Sequence, residues 1–219
     1  FYSNVKTSEV EWIWYPYIPC GKITMLQGDP GEGKSTLIIH IAAILTKGGY
    51  LPDGQKIKKP EIVIYQCSED GKGDTIKPRL EQAGADCNRV AFIKDDNGEL
   101  TLEDERIKTA INQIGAKMVV LDPIQAFIGH NGNMTNAVKM RETLSKLSKV
   151  AEETNCAIVL VGHMTKSSGG KQIYRGLGSI DIAATVRSIL MVSRDKEEPW
   201  KRYMFPVKSS LAPEGEPIG

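Results

Sequence analysis

The chain has 219 residues, with 28 Lys and Arg against 27 Asp and Glu, a formal net charge of +1, and apolar and charged fractions of 41% and 25%. That length suits one large α/β domain with a substantial core, and the composition excludes a disordered chain. A charge so near zero means that any nucleic-acid contact must come from a local patch, because the field of the whole molecule will not supply it.

Cys20, Cys67, Cys87 and Cys156 lie far apart without a Cys-x-x-Cys pair. This argues against a zinc site and a dense disulfide framework, and for a reduced, cytoplasmic setting. No run of about 18 or more apolar residues exists and no basic-then-apolar stretch opens the sequence, so neither a membrane span nor a leader is expected. The chain opens on Phe1 rather than methionine, as expected of an excerpt from a longer protein.

Residues 1–20 hold Trp12, Trp14, Tyr15 and Tyr17, closed by Pro16 and Pro19. The alternation predicts an edge strand or hairpin that either covers the core or offers an aromatic wall to a base or a neighbouring subunit. A short apolar run, Ile23 to Leu26, then leads into Gly28-Asp29-Pro30-Gly31-Glu32-Gly33-Lys34-Ser35, and a long one, Leu37 to Leu45, follows. Strand, glycine-rich loop and helix in that order form a phosphate cradle. The glycines let backbone N–H groups turn inward, Lys34 brings a mobile ammonium to the β/γ-phosphates, and Ser35 offers a hydroxyl to Mg²⁺.

The helix from Ser35 to about Lys47 is apolar on nearly every side and should be buried, with Gly48 and Gly49 stopping it. Lys56, Lys58 and Lys59 form a small basic cluster of the solvated kind. Ile62 to Gln66 reads as a buried parallel strand ending in Cys67-Ser68-Glu69-Asp70, where ligands bind in open α/β sheets. A helix reaching about Ala83 follows, Pro78 blurring its start, and then a strand over Val90 to Ile93. Thr101 with Asp104 suggests a capping box for a helix with Ile107, Ile111 and Ile114 on one face.

Met118 to Leu121 end in Asp122, which resembles the Walker B strand whose carboxylate holds Mg²⁺ directly or through water. The next residue is Pro123. The base that activates water must therefore come from elsewhere, and Glu69 is the best candidate. A helix with Ala137, Met140, Leu144, Leu147 and Ala151 on one face precedes a third buried strand, Ala157 to Gly162, which delivers His163. Lys166 to Lys171 is a basic Ser/Gly loop, either a plain linker or a mobile nucleic-acid loop. Ile189 to Val192 and Tyr203 to Val207 flank a charged turn and predict a closing antiparallel hairpin.

The order of signals is Pro19-x-Gly21-Lys22, Gly28 to Ser35, Ser68-Glu69, Val119 to Asp122, Val161-Gly162-His163 and Arg175-Gly176-Leu177-Gly178-Ser179. It resembles the RecA-like P-loop ATPase core from about Trp12 to Ala212. Within that core it is similar to the RepA-like and DnaB-like hexameric replicative helicases of plasmids, phages and mobile elements. The resemblance implies an α/β fold, a mostly parallel twisted sheet flanked by helices with a C-terminal antiparallel hairpin. Residues 1–219 would form a single domain on whose core residues 1–20 pack. It implies ATP held by Gly28, Asp29, Pro30, Gly31, Glu32, Gly33, Lys34, Ser35 and Thr36, with Mg²⁺ on Ser35 and Asp122. Glu69 matches the catalytic glutamate, and His163 a γ-phosphate sensor, often glutamine, that reports to a loop at Lys166 to Lys171 facing single-stranded DNA. Lys208 is similar to a finger residue donated across a subunit interface in a homo-oligomer, as in a hexamer, and Arg175 or Arg194 could share that task. Ser210 stands where a terminal basic finger residue would be sought. Two other functions keep the phosphate loop: a nucleotide-switched regulatory or scaffold ATPase, and a small-molecule kinase. The kinase would need an arginine-rich lid, and only Arg79, Arg89 and Arg106 lie between Lys34 and Asp122, dispersed.

Overall fold

Strand sequences rich in Val, Ile and Leu on both faces need helices above and below, and the fold supplies them. The computed structural model describes residues 1–94, 98–129, 137–163 and 180–219. Its strands are β1 (Trp12–Trp14), β2 (Ile18–Pro19), β3 (Ile23–Gly28), β4 (Val63–Cys67), β5 (Val90–Ala91), β6 (Met118–Asp122), β7 (Ala157–His163), β8 (Ser188–Arg194) and β9 (Arg202–Ser209). The α-helices are α1 (Lys34–Lys47), α2 (Lys77–Gln82), α3 (Glu105–Ile114), α4 (Ala137–Thr154) and α5 (Ile180–Thr185). β1 and β2 form a small antiparallel pair, and the main seven-stranded sheet runs β5-β4-β6-β7-β3-β8-β9. Within it every pairing is parallel except β8 with β9. This is the mostly parallel α/β core that the resemblance implies, closed by an antiparallel hairpin.

Side chains alternate across each strand, so the sheet splits the core in two. Val63, Tyr65, Met118, Val120, Val159 and Val161 face α1, whose Ile38, Ile41 and Leu45 pack on them. Ile64, Val119, Leu121, Ile158 and Leu160 face α3 and α4 through Ile107, Ile111, Leu144 and Leu147. The aromatic segment joins the α1 side. Trp14 and Tyr17 are buried, the Trp14 indole donates to Asp53 Oδ2 at 2.8 Å, and the Tyr17 hydroxyl donates to the Glu216 carbonyl at 2.7 Å. Trp12 and Tyr15 sit edge to face with centroids 5.2 Å apart, and Tyr15 is exposed.

Local chemistry moved some boundaries. α3 is capped by Asp104, whose carboxylate accepts from the Arg106 N–H at 2.8 Å, and not by Thr101. The Arg106 guanidinium grips the same carboxylate at 2.7 Å, which explains why the later cap wins. Ile114 at the end of that helix is 36% exposed rather than part of the buried face. β5 stops after Ala91. A π-helical turn over Lys72–Ile76 precedes α2, and Pro78 falls in the first turn of α2, where no intrahelical N–H is needed. The cysteines are free. Burial pushes the Cys20 thiol up to about 11 and the Cys156 thiol up to about 12, so both are inert core groups. Among the described residues no helix is long and apolar enough to cross a membrane.

Candidate nucleotide site

Four strand ends meet at one rim of the sheet. β3 runs into the phosphate loop, β4 into Ser68 and Glu69, β6 ends on Asp122, and β7 ends on His163. Their register brings these ends level: Gly28 lies opposite His163, and Cys67 opposite Asp122.

The loop needs glycine for two different reasons. A Cβ on Gly28 would lie 2.4 Å from the Val192 carbonyl oxygen of β8, so only a hydrogen fits. Gly33, the residue before α1, has φ +96°, a left-handed conformation that side chains resist. α1 then presents the unpaired N–H groups of its first turn to the loop, with Ser35 at its start. Asp29, Pro30 and Gly31 are open to solvent, and so is Thr36. Lys34 is 4% exposed, and its ammonium donates to the Gly28 and Asp29 carbonyls at 2.8 and 2.9 Å. Desolvation holds its pKa below the usual lysine value, opposed by the carboxylates of Asp122, Asp29, Glu32 and Glu69 around it.

Asp122 is buried, and the Tyr65 hydroxyl donates to its Oδ2 at 2.9 Å. Burial first, then the Asp122 charge, pushes the phenol well above its ordinary pKa, so it stays a donor. Glu69 is exposed, on a short turn fixed by an Arg79–Asp70 ion pair at 2.7 Å and by the Asp70 N–H on Cys67 Sγ at 3.4 Å. His163 Nε2 lies 4.0 Å from Glu69 Oε2. His163 Nδ1 is buried without a hydrogen-bond partner among the described residues. Lys34, Asp122, Glu69 and His163, picked from separate stretches of sequence, are thus neighbours.

The C-terminal hairpin adds two guanidinium groups. Arg194, the last residue of β8, donates its backbone N–H to the Glu32 carboxylate and its Nη2 to the Gly31 carbonyl at 3.0 Å. Arg202, its partner across β8 and β9, lies with Nε 3.6 Å from where a Gly33 Cβ would stand. Arg202, Tyr65 and the tether at Glu32 were not legible, because each depends on β8 lying beside β3 or on β4 lying beside β6. Lys208 is elsewhere: its ammonium donates to the Ala183 and Val186 carbonyls at 2.7 and 2.8 Å, closing the C-terminal end of α5 inside its own chain. Arg175 and the loop Lys166 to Lys171 lie outside the described residues.

Residues 2–169 match the profile of the family AAA_25, described as an AAA domain. The chain is 27% identical over 150 residues to DNA repair protein RadA of Chlamydia muridarum, covering 68% of this chain and 29% of that protein. It is 28% identical over 148 residues to DNA repair protein RadA of Streptococcus pyogenes serotype M3, covering 67% and 28%. For DNA repair protein RadA of Streptococcus pneumoniae the figures are 26% over 148 residues, covering 67% and 31%. The chain therefore spans less than a third of the length of these curated relatives. A family match over most of the chain agrees with the loop, the sheet order and the rim geometry: the chain belongs to this AAA domain family and is a RecA-like P-loop ATPase.

Proposed function

We propose that the rim hydrolyses ATP with Mg²⁺ and that hydrolysis drives work on DNA. The observation that carries this is the convergence of a phosphate-loop lysine, a buried carboxylate and a separate glutamate 4.0 Å from a histidine. The donor set fits a magnesium nucleotide: a hydroxyl at the start of α1, a carboxylate with one oxygen steadied by a phenol, and a glycine cradle that a Cβ would fill. Ser35 and Asp122 would hold the Mg²⁺, which when bound neutralises charge on the phosphates.

The loop N–H groups and the Lys34 ammonium grip the phosphate oxygens, and the ammonium turns to them from the Gly28 and Asp29 carbonyls. Glu69 orients and polarises the attacking water. His163, within reach of Glu69, senses the γ-phosphate and passes its state along the chain toward Lys166 to Lys171. Arg194 and Arg202 approach the same loop from the side, as cations within the same chain. For Lys208, proposed from resemblance as a finger across a subunit interface, the bonds to α5 must first be released.

The relatives' names carry the word DNA repair, which supports DNA as the partner. The finer reading is a ring-forming homo-oligomeric helicase or recombination ATPase of the RepA-like or DnaB-like branch, acting on single-stranded DNA in the cytoplasm. We propose residues 1–219 as its single ATPase domain. A second reading, a nucleotide-switched regulatory ATPase, is favoured by the net charge of +1. ATPase assays with and without single-stranded DNA, run beside sedimentation with ATP, separate the two. DNA-stimulated turnover by an oligomer supports the motor, whereas ATP-dependent assembly with no DNA response supports the switch. A monomer with neither response contradicts both.

A further inference from the structure

Among the described residues, the one side chain hydrogen-bonded to the buried carboxylate is Tyr65 of β4, whose phenol steadies one carboxylate oxygen but takes no part in the steps of phosphate chemistry described above. Its placement follows from the sheet. β4 and β6 run parallel with Tyr65 opposite Val120 and Cys67 opposite Asp122. Tyr65, Val120 and Cys67 all belong to the α1 side of the core, and Asp122, two residues beyond Val120, points to the same face. Two strand residues span about 6.6 Å, which is the reach of a tyrosine from its Cα to its hydroxyl. The ring is buried, and its hydroxyl lands 2.9 Å from Asp122 Oδ2. A phenylalanine would fill the same space and stop short of the contact.

We propose that Tyr65 is a positioning residue for the magnesium site: its hydroxyl holds Asp122 Oδ2 and thereby fixes the orientation in which the carboxylate would meet the cation. This rests on the reading of Asp122 as the metal carboxylate. The physical need is specific. Asp122 also lies in the field of the Lys34 ammonium, and a carboxylate with no other anchor would swing toward that cation and form a direct ion pair. A hydrogen bond to a charged acceptor is strong enough to oppose this, since such bonds are roughly twice as strong as neutral ones. Partners of this kind typically change metal affinity about 10- to 100-fold when removed. The competing role is purely structural, in which the phenol only satisfies a buried carboxylate. That role predicts lost stability with unchanged metal affinity.

The test is Tyr65→Phe in the full chain, read by binding of a fluorescent ATP analogue across a Mg²⁺ titration and by Mn²⁺ electron paramagnetic resonance. The expected result is that the cation concentration for half-saturation rises about tenfold or more, while nucleotide affinity in EDTA stays within about twofold, which also shows that the variant is folded. Half-saturation unchanged within about twofold overturns the proposal. Asp122→Asn run alongside separates the two levels. If it raises the cation requirement and Tyr65→Phe does not, only the role of Tyr65 falls. If neither variant responds, the reading of Asp122 falls with it. Should Tyr65→Phe fail to fold, 3-fluorotyrosine placed at position 65 reads the same contact in an intact protein. Its fluorine resonance shifts when Mg²⁺ joins the nucleotide and not with nucleotide alone. A resonance indifferent to the cation overturns the proposal.

Discussion

The four central strands and the β8–β9 hairpin both bring charged groups to the phosphate loop, but in different ways. Strands β3, β4, β6 and β7 each deliver a group from the end of a buried apolar run: the loop itself, Glu69, Asp122 and His163. The hairpin reaches across from the side, with Arg194 on Gly31 and Glu32 and with Arg202 beside Gly33. The first arrangement is anchored in the core on both faces of the sheet, while the hairpin ends in an exposed turn carrying Trp200. On the function proposed above, the central strands carry the hydrolytic groups and the hairpin adds cations beside the loop.

That contrast can be broken from either side. Lys34→Ala should have the largest effect, lowering steady-state ATP turnover about 10²- to 10³-fold, because one preorganised cation on the transferring phosphate is lost. A turnover within a few-fold of the parent would remove Lys34 from the chemistry. Arg194→Ala should weaken nucleotide binding by about tenfold, measured with a fluorescent analogue, as one charge-assisted contact worth about 1.5–3 kcal/mol is removed in part. Equal affinity would make the Arg194 contact to Gly31 a structural tether alone.

Smaller effects belong to residues that hold the frame. Lys208→Met keeps the length of the side chain and loses the two bonds to α5, so thermal unfolding should show a loss of about 1–2 kcal/mol. If stability is untouched and turnover falls only in the assembled state, Lys208 serves a neighbour instead. The smallest effect is at Asp104, where hydrogen bonding from Arg106 holds the carboxyl below the ordinary 3.8. A depressed carboxyl stabilises the fold above its unfolded value and loses that contribution as pH falls through the folded one. Asp104→Ala should therefore cost about 1 kcal/mol near pH 7, and urea unfolding should show the gap closing below pH 3.8.

The same contrast explains what could be read in advance. Val119 to Asp122 and Ala157 to His163 announce themselves because a fully buried parallel strand is a continuous apolar run, and the polar residue that ends it marks the rim. Trp14 and Tyr17 were ambiguous between core and binding wall, and their contacts to Asp53 and Glu216 lie in distant loops. Arg202 gave no local signal. It becomes part of the site only because β8 pairs with β3, a neighbour relation set by the whole sheet. Tyr65 looked like one more core residue, since nothing in Ile62 to Gln66 reveals which strand will lie alongside. The cap of α3 was misplaced because Arg106 favours Asp104, a competition between two side chains that a capping pattern does not encode.

The central claim is that the base stands apart from the metal carboxylate, on the turn after β4. Glu69→Gln tests it most directly, with ATP affinity and steady-state turnover measured on the same preparation. The expected result is ATP affinity within about twofold and turnover reduced by roughly 10²-fold or more. Unchanged turnover would contradict the account and return Glu69 to the solvated surface.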